Sequence, residues 1–217
     1  ALAAAGEPRV IVANHLSYVE IIWLIAAEAP AFVFKRTCLN LPLVGDIAQR
    51  ILCSVPVDNT GAHGGAGTQA ITDHLRRTGR AAKARKAVRT LAVFPEGTTS
   101  NGSCLLKFRT GVFVAGVPVC PVAVHLPFGP FSPSYESIYT AAHLVRLLSQ
   151  PFNRMQVRYL PLHRPSAAER GDAARYARAV RHALHRALGV PLVDAGYQDK
   201  VRFHSWLRLQ YARHPLG

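Results

Sequence analysis

The chain has 217 residues, enough for one domain with a core of ordinary size, and nothing in it indicates a second core. Its 26 Lys and Arg against 12 Asp and Glu give a formal net charge of +14, which favours anionic partners such as nucleic acid, phospholipid head groups or the phosphates of coenzyme A. No apolar run approaches the roughly 18 residues that span a bilayer, and the Cys residues show neither C-x-x-C spacing nor pairing with nearby His, so the sequence predicts no transmembrane helix, zinc motif or redox motif.

The first polar cluster of interest follows the first predicted strand. The apolar run 10–13 is typical of a short buried strand and residues 21–27 of a helix, so the sequence NHLSYVE at 14–20 sits at a strand-to-helix junction. His15 and Glu20 are five residues apart, and only a turn between them lets their side chains meet. A carboxylate in contact with the imidazole would orient it as a general base.

The same residues also match a helix capping box. In the spacing S-x-x-E, the Ser17 side chain accepts a hydrogen bond from the Glu20 amide while the carboxylate accepts one from the Ser17 amide. A short motif of this kind occurs often by chance. The junction alone therefore leaves both a catalytic pair and a helix cap open.

The next segment carries two cations to the end of a strand. Residues 31–34 predict a second strand that leads into Lys35 and Arg36, which are candidate phosphate contacts, although a solvated Lys-Arg pair has the same pattern. Residues 43–51 predict a short helix. Residues 52–57 predict a strand whose proline indicates an edge position or a bulge.

A glycine-rich segment at 59–67 and a polar helix over about 67–77 lead into the most basic part of the chain. Its cations are Arg76, Arg77, Arg80, Lys83, Arg85, Lys86 and Arg89. Few aromatic residues lie between them, so stacking on single-stranded bases is not supported and we expect no nucleic-acid partner. A polybasic segment beside an anionic membrane, worth about 1 kcal/mol per charge, fits better. A solvated loop without a dedicated partner fits equally well.

A second polar cluster follows another short apolar run. Residues 91–94 predict a strand, and the sequence PEGTTSNG at 95–102 is a dense turn cluster with a single carboxylate, Glu96. Here too, polar side chains gather where a predicted strand ends.

The remaining elements continue the alternation of strands and helices. An apolar segment at 112–115 precedes a strand at 117–124, a helix near 136–149, a strand near 155–160 and an amphipathic helix near 168–188. Such alternation predicts an α/β domain in which helices flank a central sheet.

With both polar clusters in view, the sequence resembles the glycerolipid acyltransferase family of 1-acylglycerol-3-phosphate acyltransferase-like enzymes, which pairs an N-H-x4-D motif with a later F-P-E-G-T motif. It is most similar to the acyltransferases acting on lysophosphatidylcholine and lysophosphatidylethanolamine, because FPEGT continues here as T-x-N-G. The similarity extends through FVFKR at 32–36, LPLVG at 41–45 and the stretches 105–122 and 127–138.

The resemblance implies a single acyltransferase domain with a mixed sheet, divided into a catalytic core at about 9–165 and a C-terminal helix and tail at 166–217. It implies transfer of a fatty acyl group from acyl-CoA, a co-substrate, to a lysophospholipid, without a cofactor or metal. His15, oriented by Glu20, would be the general base. The implied substrate-binding residues lie in or beside the family motifs: Lys35, Glu96, Gly97, Thr98, Lys107 and Arg109.

The sequence departs from the family pattern in two places. Glu20 stands where the family usually has Asp, and the segment 55–59, VPVDN, lacks the Arg that usually contacts the acceptor. An Arg fork suits the dianion of lysophosphatidic acid, so its absence favours an acceptor with a head group. The same departures leave open a non-catalytic homologue that binds membranes or lipids, and a coenzyme-A-independent transacylase remains a further alternative.

The resemblance also implies where the protein acts. We expect phospholipid biosynthesis at a membrane surface, on its cytosol-facing side, at the endoplasmic reticulum. The first residues, ALAAAG, lack Met and the features of a signal peptide, and members of the family often carry membrane-anchoring segments upstream.

Overall fold

The computed structural model describes residues 10–36, 54–57, 64–84, 88–135 and 139–213. The predicted helix at 43–51 lies outside these ranges. Residues 85–87 of the basic run at 76–89 also lie outside them, and so do residues 58–59 of the VPVDN segment.

The secondary structure alternates between strands and helices along the chain. The strands are β1 (Val10–Ala13), β2 (Ala31–Lys35), β3 (Val55–Val57), β4 (Leu91–Val93), β5 (Cys120–His125) and β6 (Gln156–Tyr159). The helices are α1 (Val19–Glu28), α2 (Gly64–Lys83), α3 (Thr140–Leu148), α4 (Ala167–Gly171), α5 (Ala173–Leu188) and α6 (Tyr197–Arg213), with a 3-10 turn at Phe113–Ala115.

The six strands form one mixed sheet in the order β3-β2-β4-β1-β5-β6. The first five strands are parallel, and β6 runs antiparallel to β5. This confirms the predicted α/β fold and leaves β3, with its proline, at an edge. Because β1 and β4 are parallel neighbours, the polar clusters that follow them meet at one edge of the sheet.

The strands at the centre of the sheet bury both faces, as parallel strands covered by helices do. On β1, Val10 and Val12 pack on one side with residues of α2 and α5, while Ile11 and Ala13 pack on the other with Leu24 of α1. The polar loops therefore follow strands whose side chains are buried on both faces of the sheet.

Two of the predicted helices differ clearly from the observed ones. Helix α2 begins at Gly64 and ends at Lys83, because the contact with β3 extends it and Gly67 lets its backbone come close to Val57. The predicted helix 168–188 is two helices, since Asp172 adopts an extended backbone conformation and caps α5 by accepting from the Ala174 and Arg175 amides.

The helix α6 was not predicted from the sequence. Its large apolar side chains remain exposed, so the pattern lacks the single apolar stripe that identifies a packed helix. Among the residues that the structure describes, no helix combines the length and apolar character needed to cross a membrane.

Two leucines at opposite extremes of exposure test this account of the core. Leu184 on α5 is 0% exposed and Leu148 on α3 is 73% exposed. Leu184→Ala should lower the free energy of unfolding by about 2–5 kcal/mol, because it leaves a cavity. Leu148→Ala, the matched control, should change it by less than about 0.5 kcal/mol. Urea denaturation measures both, and similar losses in the two variants would contradict the assigned core.

Candidate active site

The loop after β1 brings the predicted His–Glu pair into contact. His15 Nδ1 lies 2.7 Å from Glu20 Oε1, with 17% of the His15 side chain exposed and 0% of the Glu20 side chain. The turn at 14–18 makes this possible, since α1 begins only at Val19. Because the carboxylate accepts at Nδ1, the neutral ring carries its proton there, and Nε2 keeps the lone pair that a general base needs.

The Glu20 carboxylate also takes part in half of the capping box. It accepts from the Leu16 amide at 2.7 Å and from the Ser17 amide at 2.8 and 3.0 Å. The serine half is absent: Ser17 Oγ is buried without a hydrogen-bond partner among the described residues, and the residue at the N-cap is Tyr18. One buried carboxylate thus orients the histidine and caps the loop backbone, so the two interpretations of the motif are compatible.

The first residue of the FPEGT motif packs on the histidine. The rings of Phe94 and His15 stack with centroids 4.2 Å apart and an interplanar angle of 19°. The sequence assigned Phe94 to the strand, but β4 ends at Val93, which frees the ring to cover one face of the imidazole.

The buried Glu96 joins the two motifs. Its Oε1 accepts from the His15 amide and its Oε2 from the Leu106 amide, each at 3.0 Å. The Ser100 amide donates to the His15 carbonyl at 2.9 Å, which adds a second link. Glu96 therefore positions the backbone of His15. Its predicted contact with substrate stays a prediction.

Burial raises the pKa of Glu96 from 4.5 to about 7, and the two backbone amides and Arg181 only partly oppose this rise. Arg181 itself is held by the Leu105 and Val193 carbonyls, to which its guanidinium donates. The charge of Glu96 therefore changes close to neutral pH.

Two of the predicted phosphate contacts gather around Tyr197, the first residue of α6. Lys35 Nζ donates to the Tyr197 hydroxyl at 3.3 Å and lies 4.7 Å from the centroid of its ring. Arg109 Cζ lies 5.0 Å from the same centroid. The Arg109 side chain also covers Gly97, where a Cβ would come within 2.8 Å of Nε. We call Lys35, Arg109 and Tyr197 the cation cluster.

The remaining predicted residues lie beside this cluster. Thr98 is half-buried in the turn after Gly97. The Lys107 ammonium is exposed and lies 3.9 Å from the Asp194 carboxylate, so its described contact is with the loop before α6. Substrate binding by Thr98 and Lys107 stays a prediction.

Helix α6 supplies residues that sequence reasoning missed. Besides Tyr197, Lys200 Nζ donates to the Thr99 carbonyl at 2.6 Å and to the Thr99 hydroxyl at 3.2 Å, which fastens the helix to the FPEGT turn. The signal that could have found Lys200 is a weaker similarity to the family in DKVRFH at 199–204; Tyr197 lies outside that stretch.

The chain is similar in sequence to known proteins. A sequence model described as Acyltransferase matches residues 2–125. The chain belongs to the acyltransferase family. Over 94% of its length it is 37% identical to the lysophospholipid acyltransferase LPEAT1 of Arabidopsis thaliana, and it covers 52% of that protein. Over 93% of its length it is 33% identical to a lysophosphatidylcholine acyltransferase of Drosophila melanogaster, of which it covers 37%.

The acyltransferase chain thus spans about half the length, or less, of these curated relatives. Its structure is similar to the crystal structure of the 1-acyl-sn-glycerophosphate (LPA) acyltransferase, PlsC, from Thermotoga maritima, with a TM-score of 0.55 and 19% identity. The match covers 84% of this chain and 66% of that one. At this identity the match supports the fold alone.

The raised pKa of Glu96 predicts a pH-dependent stability. An acid whose folded pKa is raised contributes stability that is fully present below its unfolded pKa, about 4.5, and is lost as the pH rises through about 7. Across this window the free energy of unfolding of the unmodified protein should fall by on the order of 3 kcal/mol relative to that of Glu96→Gln. Chemical denaturation of both proteins over a pH series measures this, and a constant difference between them would contradict it.

Proposed function

We propose that this domain is a lysophospholipid acyltransferase that moves a fatty acyl group from acyl-CoA to the hydroxyl of a lysoglycerophospholipid. The observation that carries the proposal is the contact of His15 Nδ1 with the buried Glu20 at 2.7 Å, on a loop that Glu96 fastens to the FPEGT turn. The names of the relatives support the acceptor class. Glu in place of the family's usual Asp does not weaken the proposal, because its longer side chain reaches the imidazole.

In this reaction Nε2 of His15 takes the proton from the acceptor hydroxyl as its oxygen attacks the thioester carbonyl. A carbon–oxygen bond forms, and collapse of the tetrahedral intermediate breaks the carbon–sulfur bond. The imidazolium returns the proton to the leaving sulfur, which departs as the coenzyme A thiol. The Glu20 carboxylate stabilises the imidazolium between these two steps.

We assign the acceptor's phosphate to the cation cluster. Lys35 and Arg109 approach the same Tyr197 ring, and Arg109 lies over Gly97 of the turn that borders His15. A phosphodiester carries one negative charge, which two cations offset without an additional Arg fork. We therefore propose an acceptor with a head group, such as lysophosphatidylcholine or lysophosphatidylethanolamine, in preference to lysophosphatidic acid.

We further propose that the domain works at the cytosol-facing surface of a membrane, the endoplasmic reticulum. The acceptor and the product are both membrane lipids, and the net charge of +14 favours an anionic surface.

Replacing the base tests the chemistry. His15→Ala should lower kcat/KM at least about 100-fold, because general-base catalysis contributes that much or more. Glu20→Gln should lower activity comparably and also lower the Tm, since an amide cannot accept all of the N–H groups that the carboxylate accepts. Transfer from labelled acyl-CoA to a panel of lysophospholipids gives kcat/KM.

The matched control is His182→Ala, because His182 lies on α5 and belongs to neither motif. If His15→Ala keeps its kcat/KM within tenfold of that of the unmodified protein, the assignment of His15 as the general base is wrong. Transfer that needs no acyl-CoA and instead uses an intact phospholipid as donor would establish a transacylase.

Replacing a cation tests the acceptor site. Lys35→Ala should lower kcat/KM for the acceptor about tenfold or more, the effect of losing a charged hydrogen bond, and leave the KM for acyl-CoA unchanged. Lys83→Ala, which removes an exposed lysine at the end of α2, is the control. Assays with lysophosphatidic acid, lysophosphatidylcholine and lysophosphatidylethanolamine in parallel give the preference, and a clear preference for lysophosphatidic acid would refute the assigned acceptor.

A further inference from the structure

Helix α3 (Thr140–Leu148) has its apolar side turned outward. Its buried residue is His143, 2% exposed, whereas Leu144, Val145 and Leu148 are 42%, 68% and 73% exposed. A surface helix of a globular domain normally buries its apolar stripe. Leu144, Val145 and Leu148 thus face away from the described part of the domain.

Aromatic residues on both sides of α3 extend this surface. Phe128, Phe131 and Phe152 are 75%, 46% and 68% exposed. The two segments touch, since the Arg146 guanidinium lies 5.9 Å from the centroid of the Phe131 ring. We call Phe128, Phe131, Leu144, Val145, Leu148 and Phe152 the outer face. An exposed apolar patch of this kind marks an interaction site.

The charges around the outer face indicate what it contacts. Arg146 borders Phe131, and the Arg154 guanidinium lies 5.4 Å from the centroid of the Phe152 ring. Among the residues that the structure describes, the stretches 126–135 and 139–158 contain no Asp or Glu; Glu136 stands between them in the sequence, outside the described ranges. Apolar side chains rimmed by cations suit the interface of an anionic bilayer. A second copy related by two-fold symmetry would instead bring like charges together.

The outer face lies at the same edge of the sheet as the candidate active site. It follows the carboxyl end of β5, where His125 pairs with Gln156 of β6. The basic run, from Arg76 to Arg89, lies toward the opposite edge of the sheet, because α2 leads back toward the amino ends of the strands. There the Arg89 guanidinium donates to the Ala29 carbonyl, just before β2, at 2.8 Å. Docking through the basic run would leave the His15 loop at the far edge from the bilayer.

The inner side of α3 is hydrogen-bonded to the His15 loop. The Ser134 carbonyl accepts from His143 Nε2 at 3.0 Å, so His143 Nδ1 accepts from the Tyr18 hydroxyl at 2.9 Å. Tyr18 is the N-cap of α1, which carries Glu20, and the Tyr135 amide donates to the Leu16 carbonyl at 2.8 Å. A bilayer that touches the outer face therefore lies one helix away from His15.

We propose that the outer face docks the domain on an anionic phospholipid bilayer and turns the His15 loop toward the lipids. The inference rests on the proposed function for the identity of the acceptor, whereas bilayer binding is measured without any turnover. Insertion of side chains from α3 and its flanking loops holds the domain, and the Arg residues at the rim attract the anionic head groups.

Vesicle sedimentation tests this, with vesicles of phosphatidylcholine alone and of equimolar phosphatidylcholine and phosphatidylserine. Val145→Ser/Leu148→Ser should weaken partitioning about 100-fold, since each of the two inserted aliphatic side chains is worth roughly one power of ten. The matched control, Val114→Ser/Leu209→Ser, removes the same two side-chain types at positions 49% and 57% exposed elsewhere. This control should bind vesicles as the unmodified protein does. The variant of the basic run, Arg76→Gln/Arg77→Gln/Arg80→Gln, should also bind within about threefold of the unmodified protein.

Equal losses in the face variant and its control would overturn the proposal, and so would a loss confined to the variant of the basic run. Sedimentation velocity without lipid provides a further test. A dimer that the face variant dissociates, in a protein that binds no vesicles, would assign the face to a second copy.

Activity separates this inference from the proposed function. The face variant should keep its kcat/KM for a short-chain, water-soluble lysophospholipid and lose activity toward an acceptor embedded in vesicles. If the unmodified protein binds vesicles through the outer face but transfers no acyl group, the proposed function fails and the docking surface stands.

Discussion

Two hydrogen bonds to one buried carboxylate hold the candidate site together. Glu96 follows β4 and accepts from the amides of His15, which follows β1, and of Leu106. Withdrawing a carboxylate from water is unfavourable unless its oxygens find donors, and here each oxygen has one. The arrangement is possible only because β1 and β4 are adjacent and parallel, so their carboxyl ends emerge side by side. The placement of His15, the proposed base, therefore depends on the order and direction of the strands in the sheet.

The two buried carboxylates serve different purposes because they have different partners. Glu20 accepts from an imidazole nitrogen as well as from two amides, so it orients the His15 ring and also holds the loop that carries it. Glu96 has backbone partners at both oxygens, and its pKa is raised by burial to about 7. Its charge, unlike that of a surface carboxylate, is sensitive to conditions near neutral pH.

The sequence predicts the elements that depend on local pattern. Short apolar runs followed by polar turns located β1, β2 and β4, and the turn between His15 and Glu20 was required by their spacing. The contact of Lys35 with Tyr197 joins residues 162 positions apart, and no local pattern encodes it. The direction of the apolar side of α3 was not predicted, because an apolar stripe indicates a helix face and not what covers it.

The stacking of Phe94 on His15 continues into the sheet. Phe94 also stacks on Phe32 of β2, with centroids 6.3 Å apart and an interplanar angle of 11°, so three rings form a column rooted in the core. An imidazole on an exposed loop samples several orientations, and each productive encounter must select one of them. Here the column and the carboxylate select it as the chain folds. The ring thus loses its rotational freedom once, when the domain folds, and each cycle of the proposed reaction begins with the ring already in place.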